Sequence, residues 1–255
     1  MTLPQAVILG VVQGITEFFP ISSSGHLVIM QGIFGIKGPQ LAFDIFLHIG
    51  TLISILIYFR KDILNIMAKE KRTAFYIVVA SMPTFIIGLM FKDVAEELFA
   101  RPHLVGYMLL ATGLWIIAAV FYDRFKRAES RKKIGFINSL VIGVSQGIAV
   151  IPGISRSGAT IGAGILSGID KEAAVKFSFL LAIPAILGAS LLKCGDIGAA
   201  ALASGDSLYF LAGSITAAAT GLVSISLLLR MVKANKLYVF GIYCILAASI
   251  VIALL

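Results

Sequence analysis

Two short polar segments interrupt an otherwise apolar chain of 255 residues. The first is Pro20-Ile21-Ser22-Ser23-Ser24-Gly25, preceded by Gln13 and Glu17 and followed by His26. The second is Pro152-Gly153-Ile154-Ser155-Arg156-Ser157-Gly158, followed by Thr160. Between them they supply one carboxylate, one guanidinium, one imidazole and six hydroxyls. Ser22, Ser23, Ser24, Ser155, Ser157 and Thr160 give hydrogen-bonding groups suited to an oxyanion. Arg156 adds a planar fork that matches phosphate oxygens. Each segment ends in Ser-Gly and opens a helix, whose free N–H groups and dipole favour an anion. Gly25 and Gly158 let that anion approach the backbone. Phosphate or diphosphate fits this set better than a carboxylate ligand, which would need fewer hydroxyls. A simple ion pair between Glu17 and Arg156, locking the segments together, is the bland alternative.

Glu17 would repel phosphate, so it has another task. It can take a proton from a hydroxyl or water nucleophile, or hold a divalent cation that bridges to phosphate. Gln13 lies four residues earlier on the same helix face and can add a carbonyl ligand or orient the carboxylate. His26 can protonate a leaving group or relay a proton. Ser23 is the leading nucleophile, with direct attack by water as the other route. Asp44 and His48 share a helix face four residues apart. Asp44 reads as interfacial, and His48, lying deeper, as a cavity-lining residue. His103, Trp115, the methionines, Cys194 and Cys244 read as structural.

These groups need a scaffold that holds polar backbone inside lipid. Hydrophobic residues make up 59% of the chain and charged residues only 13%, against roughly 25% charged in soluble domains. Six stretches are long enough to cross about 30 Å of hydrocarbon: 41–59, 73–91, 103–122, 174–192, 208–229 and 237–255. Barrel-like alternation is absent. The stretches 4–34 and 134–169 break at the two polar segments. Broken backbone at membrane depth survives only inside protein or a wet cavity, so both read as re-entrant helix–loop–helix hairpins.

The hairpins are copies. A shift of 133 positions lays Gly10–Gly25 on Gly143–Gly158, with nine identities in sixteen positions. Near the same offset, Phe43, Leu47 and Ile49 meet Phe177, Leu181 and Ile183. The expected fold is therefore an all-α polytopic membrane protein forming one membrane domain. Residues 1–122 and 134–255 form two inverted-topology repeats, each a re-entrant hairpin followed by three transmembrane helices. A hairpin returns to its starting side and three spans do not, so the second repeat starts on the opposite face. The mismatches then carry the asymmetry: Glu17 opposes Val150, and Ser23 opposes Arg156.

The net charge of +8 gathers in short loops, which signals orientation and anionic-lipid contact rather than nucleic-acid binding. Segments 60–72, 124–133 and 230–236 hold five, six and three basic residues. All three fall on one side in this topology, the cytoplasmic one, which leaves both termini outside. The first twenty residues do not read as a cleavable signal peptide. Small-residue runs such as Ala217–Gly221 can pack helices within one chain or between the chains of a homodimer.

At this point the chain resembles a known family. Gln13-Gly14-Ile15-Thr16-Glu17 is similar to its (E/Q)xxxE motif. Ser22-Ser23-Ser24-Gly25-His26 is similar to its SS(S/T)GH segment, and Pro152–Thr160 to its PGxSRSxxT motif. The family is the bacterial undecaprenyl-diphosphate phosphatases, linked to bacitracin resistance, and the resemblance covers essentially the whole chain. It implies hydrolysis of undecaprenyl diphosphate to undecaprenyl phosphate and phosphate, recycling the carrier for cell-wall synthesis. It also implies the inner membrane, a site opening to the periplasmic side, and help from Mg²⁺ or Ca²⁺. Glu17, Ser23, His26 and Arg156 fall on the family's catalytic positions. Gln13 stands where many members carry Glu, which weakens any two-carboxylate metal site. A lipid-phosphate transporter or flippase on the same scaffold is the alternative, and a protein that only sequesters the lipid a third.

Overall fold

The computed structural model describes residues 1–36, 40–91, 94, 97, 98, 102–125, 131–192 and 207–254. Their regular elements are helices. In chain order they are α1 (Leu3–Thr16), α2 (Ser23–Ile33), α3 (Leu41–Tyr58), α4 (Arg60–Ala68) and α5 (Lys71–Met90). Then follow α6 (Pro102–Phe125), α7 (Phe136–Ile148), α8 (Arg156–Leu166), α9 (Lys171–Leu192), α10 (Ser207–Lys233) and α11 (Tyr238–Leu254).

Five of these, α3, α5, α6, α9 and α10, are long and apolar enough to cross a membrane, and α11 is a shorter apolar helix of 17 residues. Their outward faces keep large apolar side chains exposed, among them Val78, Met82 and Ile86 on α5 and Leu246 and Ile250 on α11. Such a belt suits lipid, not water. Span limits shift by a few residues from the sequence reading. The basic stretch 60–72 is mostly the short helix α4 rather than a loop, and Arg230 and Lys233 lie in the last turn of α10. The segments 193–206 (with Cys194), 126–130 and most of 92–101 lie outside the described residues.

The hairpin arms are short. At 1.5 Å per residue, α1 and α2 reach about 21 and 16 Å, and α7 and α8 about 20 and 16 Å. None spans about 30 Å of hydrocarbon alone. Thr2 and Gln5 form a capping box that starts α1, with Pro4 in its first turn.

The contacts fix the relative directions of the two halves. Glycine lets α1 seat closely on α10, where a Cβ at Gly10 would fall 2.5 Å from the Gly213 carbonyl oxygen. In the other half a Cβ at Gly143 on α7 would fall 2.1 Å from the Ala80 carbonyl oxygen on α5. Ala80 and Gly213 are separated by the same 133 positions as Gly10 and Gly143. Further along, Gly14 meets Thr220 as Gly147 meets Ile87, at the same spacing again. Both pairs of helices run parallel. The third long helices of the halves, α6 and α11, run antiparallel: Gly106 lies beside Ile252, Gly113 beside Cys244, and Ile117 beside Gly241. Equivalent helices pointing oppositely make the halves inverted.

The small-residue run Ala217–Gly221 is used within the chain. Ala217 abuts Gly14, Gly221 abuts Phe18 and Ser54, and Ser54 Oγ donates to the Ala218 carbonyl at 2.8 Å. The core beneath the loops is aromatic, with Phe18 and Phe179 edge to face at 5.3 Å. At the basic end, a cleft of about 540 Å³ lies between α4, α9 and α10. Its lining carries the ion pairs Asp62–Lys176 (2.6 Å) and Glu172–Lys233 (3.8 Å). Both pairs are well exposed to solvent, so each contributes at most about 1 kcal/mol.

Candidate active site

Both loops are built alike. Ser22 caps α2 by accepting from Gly25 N at 3.3 Å, and Ser155 caps α8 by accepting from Gly158 N at 3.0 Å. A second hydroxyl backs each cap: Ser24 at 3.4 Å from Ser22, Ser157 at 3.2 Å from Ser155. Ser23 and Arg156 therefore both occupy the first position of their half-helices. The backbones differ. Ser22 has φ +68°, a strained value for a non-glycine residue that costs about 1–3 kcal/mol. In the second loop the left-handed position falls on Gly153, at φ +91°.

The loop tips touch. Ser157 Oγ donates to the Phe19 carbonyl at 3.1 Å. Arg156 Nη2 donates to Glu17 Oε1. Ser23 Oγ donates to Glu17 Oε2 at 2.6 Å, and Gln13 Nε2 donates to the same oxygen at 3.0 Å. His48 Nε2 stands 3.6 Å from it, while His48 Nδ1 donates to the Asp44 carbonyl at 2.7 Å. A buried carboxylate, 6% exposed, is thus held by groups from α1, α2, α3 and α8.

The ion pair foreseen as the bland alternative does form, but it does not exhaust Arg156. Its Nη1 is buried without a partner among the described residues, as is Gln13 Oε1. A buried donor left unmade costs about 1–3 kcal/mol, and a phosphate oxygen is the kind of acceptor that would satisfy it.

The hydroxyls divide into two layers. Ser23 and Ser24 are half-buried and accessible. Ser22, Ser155, Ser157 and Thr160 are buried, and their hydroxyls serve the frame. Thr160 Oγ1 donates to the Arg156 carbonyl at 2.9 Å and bonds Ser178 Oγ at 2.5 Å. Gly25 and Gly158 sit inside the capping turns.

His26, half-buried, bonds the Ser22 carbonyl through Nδ1 at 2.7 Å and Tyr243 Oη through Nε2 at 2.7 Å. Asp44 lies in the first turn of α3 and accepts from Gln31 Nε2 at 2.8 Å. Trp115 packs over Gly162, and Cys244 is buried against the Pro20 carbonyl, so both are structural as expected.

Sequence reasoning missed two residues. Thr112 on α6 accepts from Ser155 N at 3.1 Å and donates to the Gly153 carbonyl at 3.2 Å, which pins the second loop. Tyr243 on α11 meets His26. Neither carries a local signal, because each acts on a residue far away in the chain.

Among the described residues no three His, Cys, Asp or Glu side chains gather as a metal cage. Glu17 and Gln13 bring side-chain oxygens together at this spot, and oxygen is the ligand that a hard cation takes.

Known proteins resemble this chain over nearly its whole length. The Bacitracin resistance protein BacA family model matches residues 6–250. The chain is 42% identical to the undecaprenyl-diphosphatase of Halothermothrix orenii, over 100% of this chain and 98% of that one. It is 41% identical to the undecaprenyl-diphosphatase of Methanosphaera stadtmanae (98% and 96% covered) and 43% to that of Carboxydothermus hydrogenoformans (94% and 92%). On a match that runs nearly from end to end, the chain belongs to the BacA family of bacitracin resistance proteins.

Proposed function

We propose that this protein removes the terminal phosphate of undecaprenyl diphosphate, releasing undecaprenyl phosphate and inorganic phosphate. One observation carries the reading: Ser23 Oγ points its proton at Glu17 beside a guanidinium with an unpartnered nitrogen. A nucleophile, its base and an anion anchor thus share one spot. The relatives' name fits that chemistry, and the family's link to bacitracin resistance follows from turning over the diphosphate lipid.

The geometry supports a two-step phosphoryl transfer. Arg156 Nη1 and the N–H groups of the two half-helices hold the terminal phosphoryl oxygens. Ser23 Oγ attacks the terminal phosphorus and its proton passes to Glu17 Oε2. The bond from phosphorus to the bridging oxygen breaks, and undecaprenyl phosphate leaves. Water then attacks the phosphoserine. A proton from this step ends on His26, three residues beyond Ser23 and on the same helical face. Glu17 returns its proton to Ser23 Oγ as phosphate departs.

A divalent cation such as Mg²⁺ or Ca²⁺, held by Glu17 and Gln13 Oε1, would neutralise diphosphate charge. Gln13→Glu should then lower the cation concentration needed for half-maximal activity.

Basic residues gather on the cytoplasmic side of membrane proteins, which favours putting the short helix α4, the start of α9 and the end of α10 at the cytoplasmic face of the inner membrane. The hairpin α1–α2 then enters from the periplasmic side, where spent carrier appears.

The test is acid quenching with substrate labelled in its terminal phosphate. Label should be trapped on Ser23, and Ser23→Ala should lose both trapping and turnover. A Ser23→Ala protein with wild-type turnover would reject Ser23 as nucleophile. Transport of the lipid without phosphate release by the wild-type chain would reject the hydrolase reading.

A further inference from the structure

The last helix of the chain reaches the histidine of the first hairpin. His26 Nδ1 faces a backbone carbonyl, that of Ser22, at 2.7 Å. A carbonyl only accepts, so Nδ1 carries the proton. In the neutral ring Nε2 is then an acceptor, and the group 2.7 Å away from it is the Tyr243 hydroxyl. The phenol must donate. The two rings lie nearly parallel, 16° apart with centroids at 5.7 Å, so the contact fixes the plane of the imidazole as well as its tautomer. Tyr243 is itself anchored by its neighbour, Cys244, which is fully buried against the Pro20 carbonyl and Gly113.

We propose that Tyr243 is the positioning residue of His26, holding the imidazole with Nε2 as the proton-accepting atom and serving as the relay to it. The proposal rests on the phosphatase reading above. In the hydrolytic step the water oxygen forms its bond to the phosphorus of phosphoserine. The water's proton passes to Tyr243 Oη, as the proton already on Oη passes to His26 Nε2. The phenol is left as it began, and the proton leaves His26 afterwards. No cofactor or redox partner is involved. Because the phenol can donate in one protonation state of His26 and accept in the other, the bond survives the transfer.

Tyr243→Phe tests this. It keeps the ring, which is 42% exposed, and removes only the hydroxyl. Purified in detergent and assayed on undecaprenyl diphosphate, it should show kcat about 30-fold lower, with KM within about twofold. Phosphoserine, fleeting in the wild type, should accumulate, because only the second step is slowed. In a His26→Ala background the same change should cost nothing further. The ¹⁵N spectrum of histidine-labelled protein should show His26 with one protonated and one bare nitrogen in the wild type, and a mixture of tautomers in Tyr243→Phe. His26→Asn identifies the signal.

Wild-type kcat in Tyr243→Phe, or an equal loss when His26 is already Ala, would overturn the proposal. If phosphoserine is trapped in no variant, the Ser23 chemistry fails, and the double-mutant comparison and the spectrum still decide the role of Tyr243. If Tyr243→Phe lowers thermal stability, the folded fraction is still read by the same spectrum, and an unchanged tautomer there refutes the proposal.

Discussion

The two broken loops are the same object with different cargo. Ser22 and Ser155 cap their half-helices in the same way, Ser24 and Ser157 back those caps, and Ser23 and Arg156 stand at the same helical position. What differs is the arm leading in. Gln13 Nε2 bonds Glu17, whereas its counterpart Gln146, facing a loop with Val150 in that place, turns to Thr84 Oγ1 at 3.3 Å. One half carries a carboxylate and a hydroxyl there, the other a guanidinium. A symmetric pair would offer two binding sites, which suits transport. The asymmetric pair offers a single centre with an acid on one side and a cation on the other, which suits catalysis.

Removing either charge should have the largest effect. Arg156→Ala and Glu17→Gln should each cut phosphate release about a thousandfold or more in a detergent assay. Each also strands a buried partner charge, so melting temperature should fall alongside activity. Retained turnover in both would mean that the asymmetry between the loops is not catalytic.

Gly143→Ala comes next. Its new methyl meets the Ala80 carbonyl at 2.1 Å, and about 1–3 kcal/mol of stability should be lost. Gly10→Ala should behave alike, because it meets Gly213 in the equivalent way. A clear difference between the two would show that the halves are unequal in packing as well as in chemistry.

Thr112→Val removes the acceptor for Ser155 N and the donor to Gly153. It should cost about 1–2 kcal/mol and loosen Arg156 with little change at Glu17, visible as a rise in KM larger than the fall in kcat. His48→Ala should be mildest, about fivefold in kcat/KM, as expected for a partly exposed neighbour 3.6 Å from the carboxylate.

Much of this was legible in the chain. The 133-residue echo located both hairpins, and the mismatches at Glu17 and Arg156 singled out the charged positions of the two loops. The structure joins those two residues as the parity of the spans required. The hydroxyls were harder. Ser22, Ser155, Ser157 and Thr160 look like phosphate ligands in a sequence, but a serine just before a half-helix is also a cap, and burial assigns these four to the frame. An Asn/Ser/Thr capping test on Ser22 and Ser155 would have flagged them. Thr112 and Tyr243 had no such marker, since a hydroxyl inside an apolar span reveals its partner only once distant helices are packed. The line from Arg60 to Arg72 hid helix α4 because basic residues and a helix are compatible at a membrane surface.

The separation of Glu17 from Arg156, 139 positions along the chain, bears on biogenesis. A ribosome delivers the acid to the lipid early and its basic counterpart only after more than half of the protein has been made. An isolated charge in hydrocarbon costs about 3 kcal/mol or more. The nascent first half is therefore under-stabilised until the second half inserts, and chains cut short before Arg156 should be substrates for membrane quality control rather than dormant enzyme.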